Sequence, residues 1–538
     1  MATYQTFPSR LEAIAAENPS VSAFKVAYNG PEGVYWKDIS YAALQKDVES
    51  CARYWANELS KKGIKPRSVV GIWSKGTSYE DLVHMWAVSR AGFIPQLLSL
   101  RMTDPTVIYE LLSQAQATAL IYDVVVAKAV INAPLPVLPL AYVSILAGLD
   151  RLPLPPLWTS SDADQTLIIY HTSGSTSGMP KLVPITFRWF DKMIRNSRIA
   201  PYMRWASSKQ HISCSAGSFN HMGSTLLIAE SLERVGCFVI PTTIPYSNSE
   251  LHGMIDKCGL TRLNMFPAFL SVLLREAQQD PALLKALKRL DSFLYGGGSL
   301  DSAIEEWASS QGLRIIKFFG STEMGTVLTS TGLPGEPHLE PLPGCKVEFI
   351  PVEGMSEGQE QLLELVVPPE AAECPHPSLR NSKDGKFHTG DFFIEVAPGK
   401  YASKGRNDDW IKMQTALRCD TSAIEANAME TCGQDLISTV VVVGSARPRP
   451  AMVVELKEDS LLGFNDPAEG LRVSTEILSR IAPFHKRRYT HERIDDARLI
   501  LLVPRGALPR TATKGNVRRR AVEDTFKEEL DKIYASLA

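Results

Sequence analysis

Residues 171–181 read HTSGSTSGMPK, a run of glycines and small hydroxyl residues closed by Met-Pro-Lys. Upstream, DQTLIIY (164–170) is an apolar run with the look of a buried strand, and downstream KLVPITFRWFDKMIRNSRIA (181–200) carries apolar residues at helical spacing from Phe187 onward. Glycines and hydroxyls alone would suit any surface turn. Leaving the end of a strand, the same residues can aim backbone N–H groups, hydroxyls and a cation at one anion, as phosphate-holding loops do. The P-loop spacing is not met, because Met179 and Pro180 stand where Gly and its neighbours would be required before Lys181. Gly-x-Gly-x-x-Gly is also absent from the loop, so it is no dinucleotide fingerprint.

Around this loop the chain alternates short apolar runs with helical patterns. IKPRSVVGIWSKG (64–76) predicts a strand, SYEDLVHMWAVSRAG (78–92) a helix, FIPQLLSL (93–100) a strand, TDPTVIYELLSQAQA (103–117) a helix opened by Asp104-Pro105, and TALIYDVVV (118–126) a strand. The rhythm returns at 211–240 and 260–296 and predicts a parallel sheet covered by helices on both faces. The proline-rich stretch 131–162 predicts an extended connection. Beyond 404 the texture changes: polar KGRNDDWIKMQ leads into a helix, TSAIEANAMET, and two β-rich runs, LISTVVVVGSA and PAMVVELKE. The expected class is therefore α/β. A large N-terminal domain of parallel-rich sheets covered by helices (1–404) precedes a small mobile α+β C-terminal domain (405–538).

Composition sets outer bounds. With 538 residues the chain exceeds one ordinary core, and 44% hydrophobic with 22% charged residues suits a water-soluble globular protein. A net charge of −2 offers no global field for nucleic acid or an anionic membrane. The Arg518-Arg519-Arg520 cluster is read as the solvated face of a terminal helix. The N-terminus lacks an apolar signal core, and no apolar stretch approaches the ~20 residues that span a bilayer. Eight scattered cysteines without a Cys-x-x-Cys pair predict reduced thiols and a cytoplasmic location rather than zinc or disulfides.

The loop resembles the phosphate-binding loop of the adenylate-forming superfamily, which comprises acyl- and aryl-CoA ligases, luciferases and adenylation domains of non-ribosomal peptide synthetases. It departs from that pattern by one inserted residue, Ser177, before Gly178. The resemblance covers essentially the whole chain and implies ATP and Mg²⁺ as cofactors. It implies that Thr172, Ser173, Gly174, Ser175, Thr176 and Lys181 wrap the β- and γ-phosphates. FFGSTEMG (318–325) resembles the family's aromatic-Gly-x-Thr-Glu motif, so that Phe319 would pack on adenine, Thr322 touch the α-phosphate and Glu323 hold Mg²⁺. YGGGSL (295–300) brings Gly296, Gly297 and Gly298 against adenine and the acid, where glycine permits close backbone approach. KFHTGDFF (386–393) supplies Asp391 for the ribose hydroxyls, a natural task for a carboxylate, and GRNDD (405–409) supplies Arg406 as a second ribose or phosphate contact and Asp408 as the hinge. LPRTATKG (508–515) holds Lys514, the candidate for the family's mobile catalytic lysine, although here the order is Lys-Gly and not Gly-Lys.

Amino-acid-activating members place an Asp after Phe in the segment matching SFNHMGS (218–224), where it pairs with the substrate ammonium. Here Asn220 and His221 follow Phe219, so an α-amino acid would bury its ammonium unpaired. His221 instead resembles the histidine beside the carboxylate in aryl- and acyl-activating members. Phe266 of NMFPAF (264–269), Leu294 and Tyr295 would supply an apolar and aromatic wall suited to a flat aryl acid. After Lys412 the run MQTALRCD lacks the family's glycine, and PPEAAECPHPSLRNS replaces the usual approach to Thr-Gly-Asp. With the Lys-Gly order, these departures resemble fungal synthetase-like carboxylic acid reductases. That implies a carrier-protein phosphopantetheine thiol as acceptor, with CoA as the alternative. No carrier site of the form Gly-Gly-x-Ser lies beyond the small domain, so carrier and reductase or thioesterase domains are expected outside this chain. A stand-alone aryl- or acyl-CoA ligase is the nearest rival, and a catalytically silent nucleotide-binding module is the rival of another class.

Overall fold

A computed structural model describes residues 4–141, 149–172, 180–197, 210–298, 300–355, 360–415, 417–457, 467–511 and 515–537. Two large sheets dominate the N-terminal part. One is six-stranded, in the order Val137–Pro139, Ala119–Tyr122, Val69–Ser74, Ile94–Ser99, Thr166–His171, Leu182–Thr186. All its pairings are parallel except the last, in which Thr166–His171 meets Leu182–Thr186 antiparallel. The other is nine-stranded, with a parallel centre that runs Ile315–Ser321, Ser292–Tyr295, Arg262–Met265, Ile212–Ser215, Cys237–Ile240. The predicted α/β class and small α+β domain are both present.

The helices form where the sequence caps them. Ser78 accepts from Asp81 N–H and Asp81 bonds back, closing a capping box on Tyr79–Arg90; Asp104 accepts from Thr106 N–H ahead of Pro105 and opens Pro105–Gln114. Tyr79–Arg90 and Met222–Glu233 are buried around most of their circumference, as expected of helices enclosed by neighbouring layers. Their charged residues therefore need partners. Glu230 takes a bidentate bond from Arg262 at 2.8 and 2.9 Å, and Glu233 pairs with Arg10. The main core joins both, with Trp55, Trp86, Phe187, Trp189, Phe190 and Ile228 among its members.

Two segments differ from the sequence reading. In TALIYDVVV only Ala119–Tyr122 is strand, because Asp123 accepts from Val125 N–H and starts a 3₁₀ turn over Val124–Val130. A separate antiparallel sheet, Glu348–Pro351, Leu363–Val367, Phe387–Ala397 and Lys400–Arg406, stands within the region expected to be parallel-rich. It docks on the nine-stranded sheet through Met324, Val327, Leu328, Leu365, Phe387 and Phe393.

The small domain packs Thr421–Cys432 and Pro467–His485 on the sheet Ile437–Val443, Ala451–Leu456, Ile500–Val503. All eight cysteines are free thiols, and seven are buried. No helix among the described residues is long and apolar enough to cross a membrane.

The hairpin between Ile315–Ser321 and Gly325–Thr329 closes so tightly that a Cβ on Gly320 would lie 2.1 Å from the Gly325 carbonyl oxygen. Gly325 has φ +70°, and a Cβ there would press on Met193 Sδ and Trp189 at 2.8–2.9 Å. Gly320→Ala is therefore expected to destabilise the large domain by about 1–3 kcal/mol, measured as a lowered midpoint in urea unfolding followed by tryptophan fluorescence.

Candidate active site

The loop after Thr166–His171 closes on itself, with Thr172 N–H donating to the Lys181 carbonyl at 2.9 Å. Lys181 is exposed at its far end. Ser173, Gly174, Ser175 and Thr176 lie outside the described residues, as do Lys514 and the side chain of Asp408.

The tight hairpin presents Thr322 and Glu323 on its turn, both half-buried, while Trp189 Nε1–H donates to the Glu323 carbonyl at 3.1 Å and anchors that turn from below. Phe319 meets Phe393 edge to face, centroids 5.0 Å apart. That contact brings the antiparallel sheet against the hairpin, so that Asp391, two residues before Phe393, comes within electrostatic reach of Glu323. Asp391 pairs in register with Arg406, whose Nη1 donates to its Oδ1 at 3.1 Å while Nη2 reaches the Thr389 carbonyl at 3.3 Å. Phe319, Glu323, Asp391 and Arg406, far apart in sequence, are thus brought into one neighbourhood.

Burial pushes the Asp391 carboxyl up from the usual 3.8 to about 6; Arg406 and the Thr389 hydroxyl pull it down, and Glu323 and Asp409 push it up. A folded-state value above the ordinary one favours the fold at acid pH, and that contribution fades as pH rises from about 4 to about 6. At neutral pH the site holds a costly buried charge that two hydroxyl donors from a ribose would relieve.

Glu323 also suits a divalent cation. No cluster of three or more His, Cys, Asp or Glu that could hold a metal exists among the described residues. That agrees with Mg²⁺ is commonly held by one or two carboxylates while substrate phosphates and waters fill its octahedron. Glu323 would hold it, and the ion would neutralise phosphate charge.

A second group of residues adjoins the hairpin, where Gly296 lies against Phe318. His221 caps Met222–Glu233, its Nδ1 accepting from Gly223 N–H at 3.2 Å, and its ring stands edge-on to Phe266 with centroids 5.9 Å apart. Gly297, at φ +80°, passes under Phe266, with its Cβ position 3.7 Å from that ring; the Gly298 Cβ position is 3.4 Å from Pro267. Gly296 runs so close to Phe318 that a Cβ would lie 2.5 Å from its ring. His221, Phe266, Gly297 and Gly298 are therefore adjacent.

Two other residues expected in the acid wall are placed differently. The Asn220 amide donates to the Ser74 and Leu98 carbonyls at 2.8 and 3.3 Å, tying the two parallel sheets together. Tyr295 is buried in the helix-covered core, its hydroxyl 3.2 Å from Glu305. Strand alternation explains this, since Tyr295 points to the helical layer and the glycines after it lie beside Phe266 and Pro267. Gly217 was not anticipated. A Cβ there would strike Ser224 Oγ at 2.3 Å and sit 3.6 Å from Phe266, so this glycine leaves room beside Phe266; its only sequence signal is a glycine just before SFNH.

The Arg518–Arg520 cluster is only in part the solvated face expected of it: Arg520 is exposed, and Arg519 is not. Arg519 is largely buried and donates to the Glu425 carboxylate and the Val442 carbonyl.

Comparison with known proteins agrees with this layout. Residues 11–355 match the AMP-binding enzyme family model, and residues 408–538 match the AMP-binding enzyme C-terminal domain. The chain is 33% identical over 495 residues to the AMP-binding domain-containing enzyme iboA of Amanita muscaria, covering 88% of this chain and 92% of that protein. It is 22% identical to the adenylate-forming reductase stbB of Stachybotrys bisbyi, covering 95% of this chain but only 47% of that protein. In structure it is similar to o-succinylbenzoate CoA synthetase of Bacillus subtilis in complex with its acyl-adenylate intermediate. The TM-score is 0.72 at 16% identity, over 97% of this chain and 99% of that one. The chain belongs to the AMP-binding enzyme family.

If Asp391 holds the ribose hydroxyls as the resemblance implies, its carboxylate must be ionised to accept from both, and adenosine affinity is expected to rise with pH through about 6 and level off above it. Adenosine carries no phosphate to titrate in that range. Asp391→Asn should weaken binding by about 10–100-fold, the worth of a charge-assisted hydrogen bond, and flatten the profile. Calorimetric titration from about pH 5 to 8 reads both.

Proposed function

We propose that this enzyme activates a carboxylic acid with ATP to an acyl-adenylate, releases pyrophosphate and passes the acyl group to the phosphopantetheine thiol of a carrier protein. The observation that carries the reading is the adjacency of two groups of residues. The polar one holds Glu323, Asp391 and Arg406; the largely apolar one holds His221, Phe266 and Gly297.

The chemistry needs that adjacency. A carboxylate approaching an α-phosphate meets like charge, about 4 kcal/mol at 4 Å for an effective dielectric near 20. The acid oxygen attacks the α-phosphorus, and the bond from that phosphorus to the pyrophosphate oxygen breaks. In this reading Thr322 bonds the α-phosphate, while Lys181 and residues 172–176 take the charge of the departing pyrophosphate. Asp391 and Arg406 orient the ribose so that the line of attack is kept. Lys514 bridges the acid carboxylate and the α-phosphate during adenylation. The small domain then turns at Asp408, withdrawing Lys514, and a thiol attacks the acyl carbon to displace AMP.

An aryl acid is the substrate class we favour. Position 220 carries an amide rather than a carboxylate, so nothing there would pair a substrate ammonium. The Phe266 ring beside His221, with glycines next to it in place of side chains, suits contact with a flat ring. The resemblance to synthetase-like reductases supports a carrier thiol with reductase or thioesterase partners, and the free thiols fit a cytoplasmic enzyme. The second reading, a stand-alone CoA ligase, draws on the similarity in fold to CoA ligases.

Acid-dependent ATP–pyrophosphate exchange over benzoic, phenolic, amino and fatty acids tests the reaction and the acid together. Exchange with an aryl acid is expected, and exchange confined to amino or fatty acids would overturn the substrate reading. Lys514→Ala should cut the exchange about 10²–10³-fold while adenosine still binds. Acyl-CoA formation without a carrier would select the second reading.

A further inference from the structure

The hinge carries two consecutive aspartates, and the one after Asp408 is engaged on both sides. Asp409 Oδ2 accepts the Arg406 N–H at 2.8 Å, and its Oδ1 faces Arg519 Nη2 at 3.6 Å. The Asp409 carbonyl accepts the hydroxyl of Thr421 at 2.7 Å, at the start of the helix that bears Glu425. Arg519, which opens the helix Arg519–Thr525, also donates to the Glu425 carboxylate and the Val442 carbonyl. On the other side Arg406 holds Asp391 Oδ1 at 3.1 Å. An unbroken line therefore runs Asp391–Arg406–Asp409–Arg519–Glu425, from the Asp391 site to the core of the small domain.

This inference rests on the reading that the small domain turns at Asp408. Asp409 then moves with the small domain while Arg406 stays with the large one. The bond from Arg406 N–H to the Asp409 carboxylate spans the pivot and exists only over a narrow range of orientations. Two features show that the carboxylate is placed rather than incidental. Gly405, at φ +82°, leaves it room, since a Cβ there would lie 2.9 Å from Oδ2. Arg519 faces it from behind, and Thr421 holds the backbone carbonyl of the same residue. Arg418 adds a contact of the same sense, its N–H donating to the Gly354 carbonyl at 3.0 Å and its Nη1 to Asn407 Oδ1 at 2.9 Å.

We propose that Asp409, seated by Arg519, is a positioning residue that fixes the small domain against the Asp391 site and so sets the balance between adenylation and acyl transfer to the thiol. The cluster expected to be solvated basic surface thus places its central member inside the moving joint. Neither residue touches the reacting atoms in this account; they act through the orientation of the domain.

The test uses the full chain and two half-reactions, ATP–pyrophosphate exchange and single-turnover transfer from preformed adenylate to pantetheine. Asp409→Ala should move the two rates in opposite directions and shift their ratio about tenfold, the effect of losing one hydrogen bond to a charged group. Adenosine affinity should stay unchanged. Arg519→Met should shift the ratio likewise, and Arg519→Lys should restore most of it. Both rates falling together, or neither changing, would overturn the proposal. Should Arg519→Met fail to fold, Asp409→Ala decides, because it leaves the Arg519–Glu425 pair intact. If the parent enzyme shows no exchange with any acid, the proposed reaction fails while the joint remains testable. Energy transfer between dyes on the two domains should then broaden in Asp409→Ala, and an unchanged distribution would sink the positioning role.

Discussion

One buried amide ties the two parallel sheets beside His221. Asn220 is 6% exposed and gives its two N–H protons to the carbonyls of Ser74 and Leu98, at the ends of neighbouring strands. Phe219 N–H reinforces the junction by donating to the Gly76 carbonyl at 2.6 Å, and Gly76, at φ +68°, lacks the side chain that would strike Ser218 and Asn220. An aspartate at 220 has no proton to give and would set a carboxylate against two carbonyl oxygens, so the amide is required here on structural grounds alone. Position 220, where the resemblance puts an anionic clamp in amino-acid-activating members, is thus a structural staple here. His221, the next residue, inherits its position from that staple.

Charge inside this protein follows a consistent pattern: wherever an ionised group is buried, a partner in good geometry accompanies it. Glu230 and Arg262, both nearly inaccessible, meet in a bidentate pair; Glu455, equally buried, accepts from the Leu508 N–H and Arg510. Such pairs add little net stability, because desolvation offsets most of their attraction, but leaving one member alone is costly, which favours one arrangement over competitors. Asp391 has a partner as well, but an incomplete one. Arg406 satisfies one oxygen, yet burial and the neighbouring Glu323 still hold its carboxyl up near 6. A site so poised gains most from a ligand that brings donors and a cation.

The glycines show how backbone geometry turns a sheet edge into a binding surface. Gly296 and Gly320 are forced by neighbours that leave no room for a methyl group, and Gly297 needs a left-handed backbone. Each removes a side chain from the ends of strands whose flanking residues, Tyr295 and Phe318, are bulky.

Much of this was legible before any coordinates. The alternation of buried strands and capped helices marked an α/β chain, since periodicity and capping are local properties carried by neighbouring residues. The motifs around Phe319, Glu323, Asp391 and Arg406 were legible as short stretches that resemble those of the adenylate-forming superfamily, and that resemblance implied one nucleotide site. Their assembly was not legible. The edge-to-face contact of Phe319 with Phe393 and the register of Asp391 with Arg406 depend on an antiparallel sheet whose strands lie far from the hairpin in sequence. Asn220 and Tyr295 were taken for cleft wall because sequence cannot tell which face of a strand end, or which neighbouring sheet, a side chain will meet. Arg519 looked like solvated surface for a similar reason, since its acceptors Glu425 and Val442 come from distant segments. Local chemistry was written in the order of residues, whereas burial and partnership, which depend on long-range packing, were decided only when the chain closed on itself.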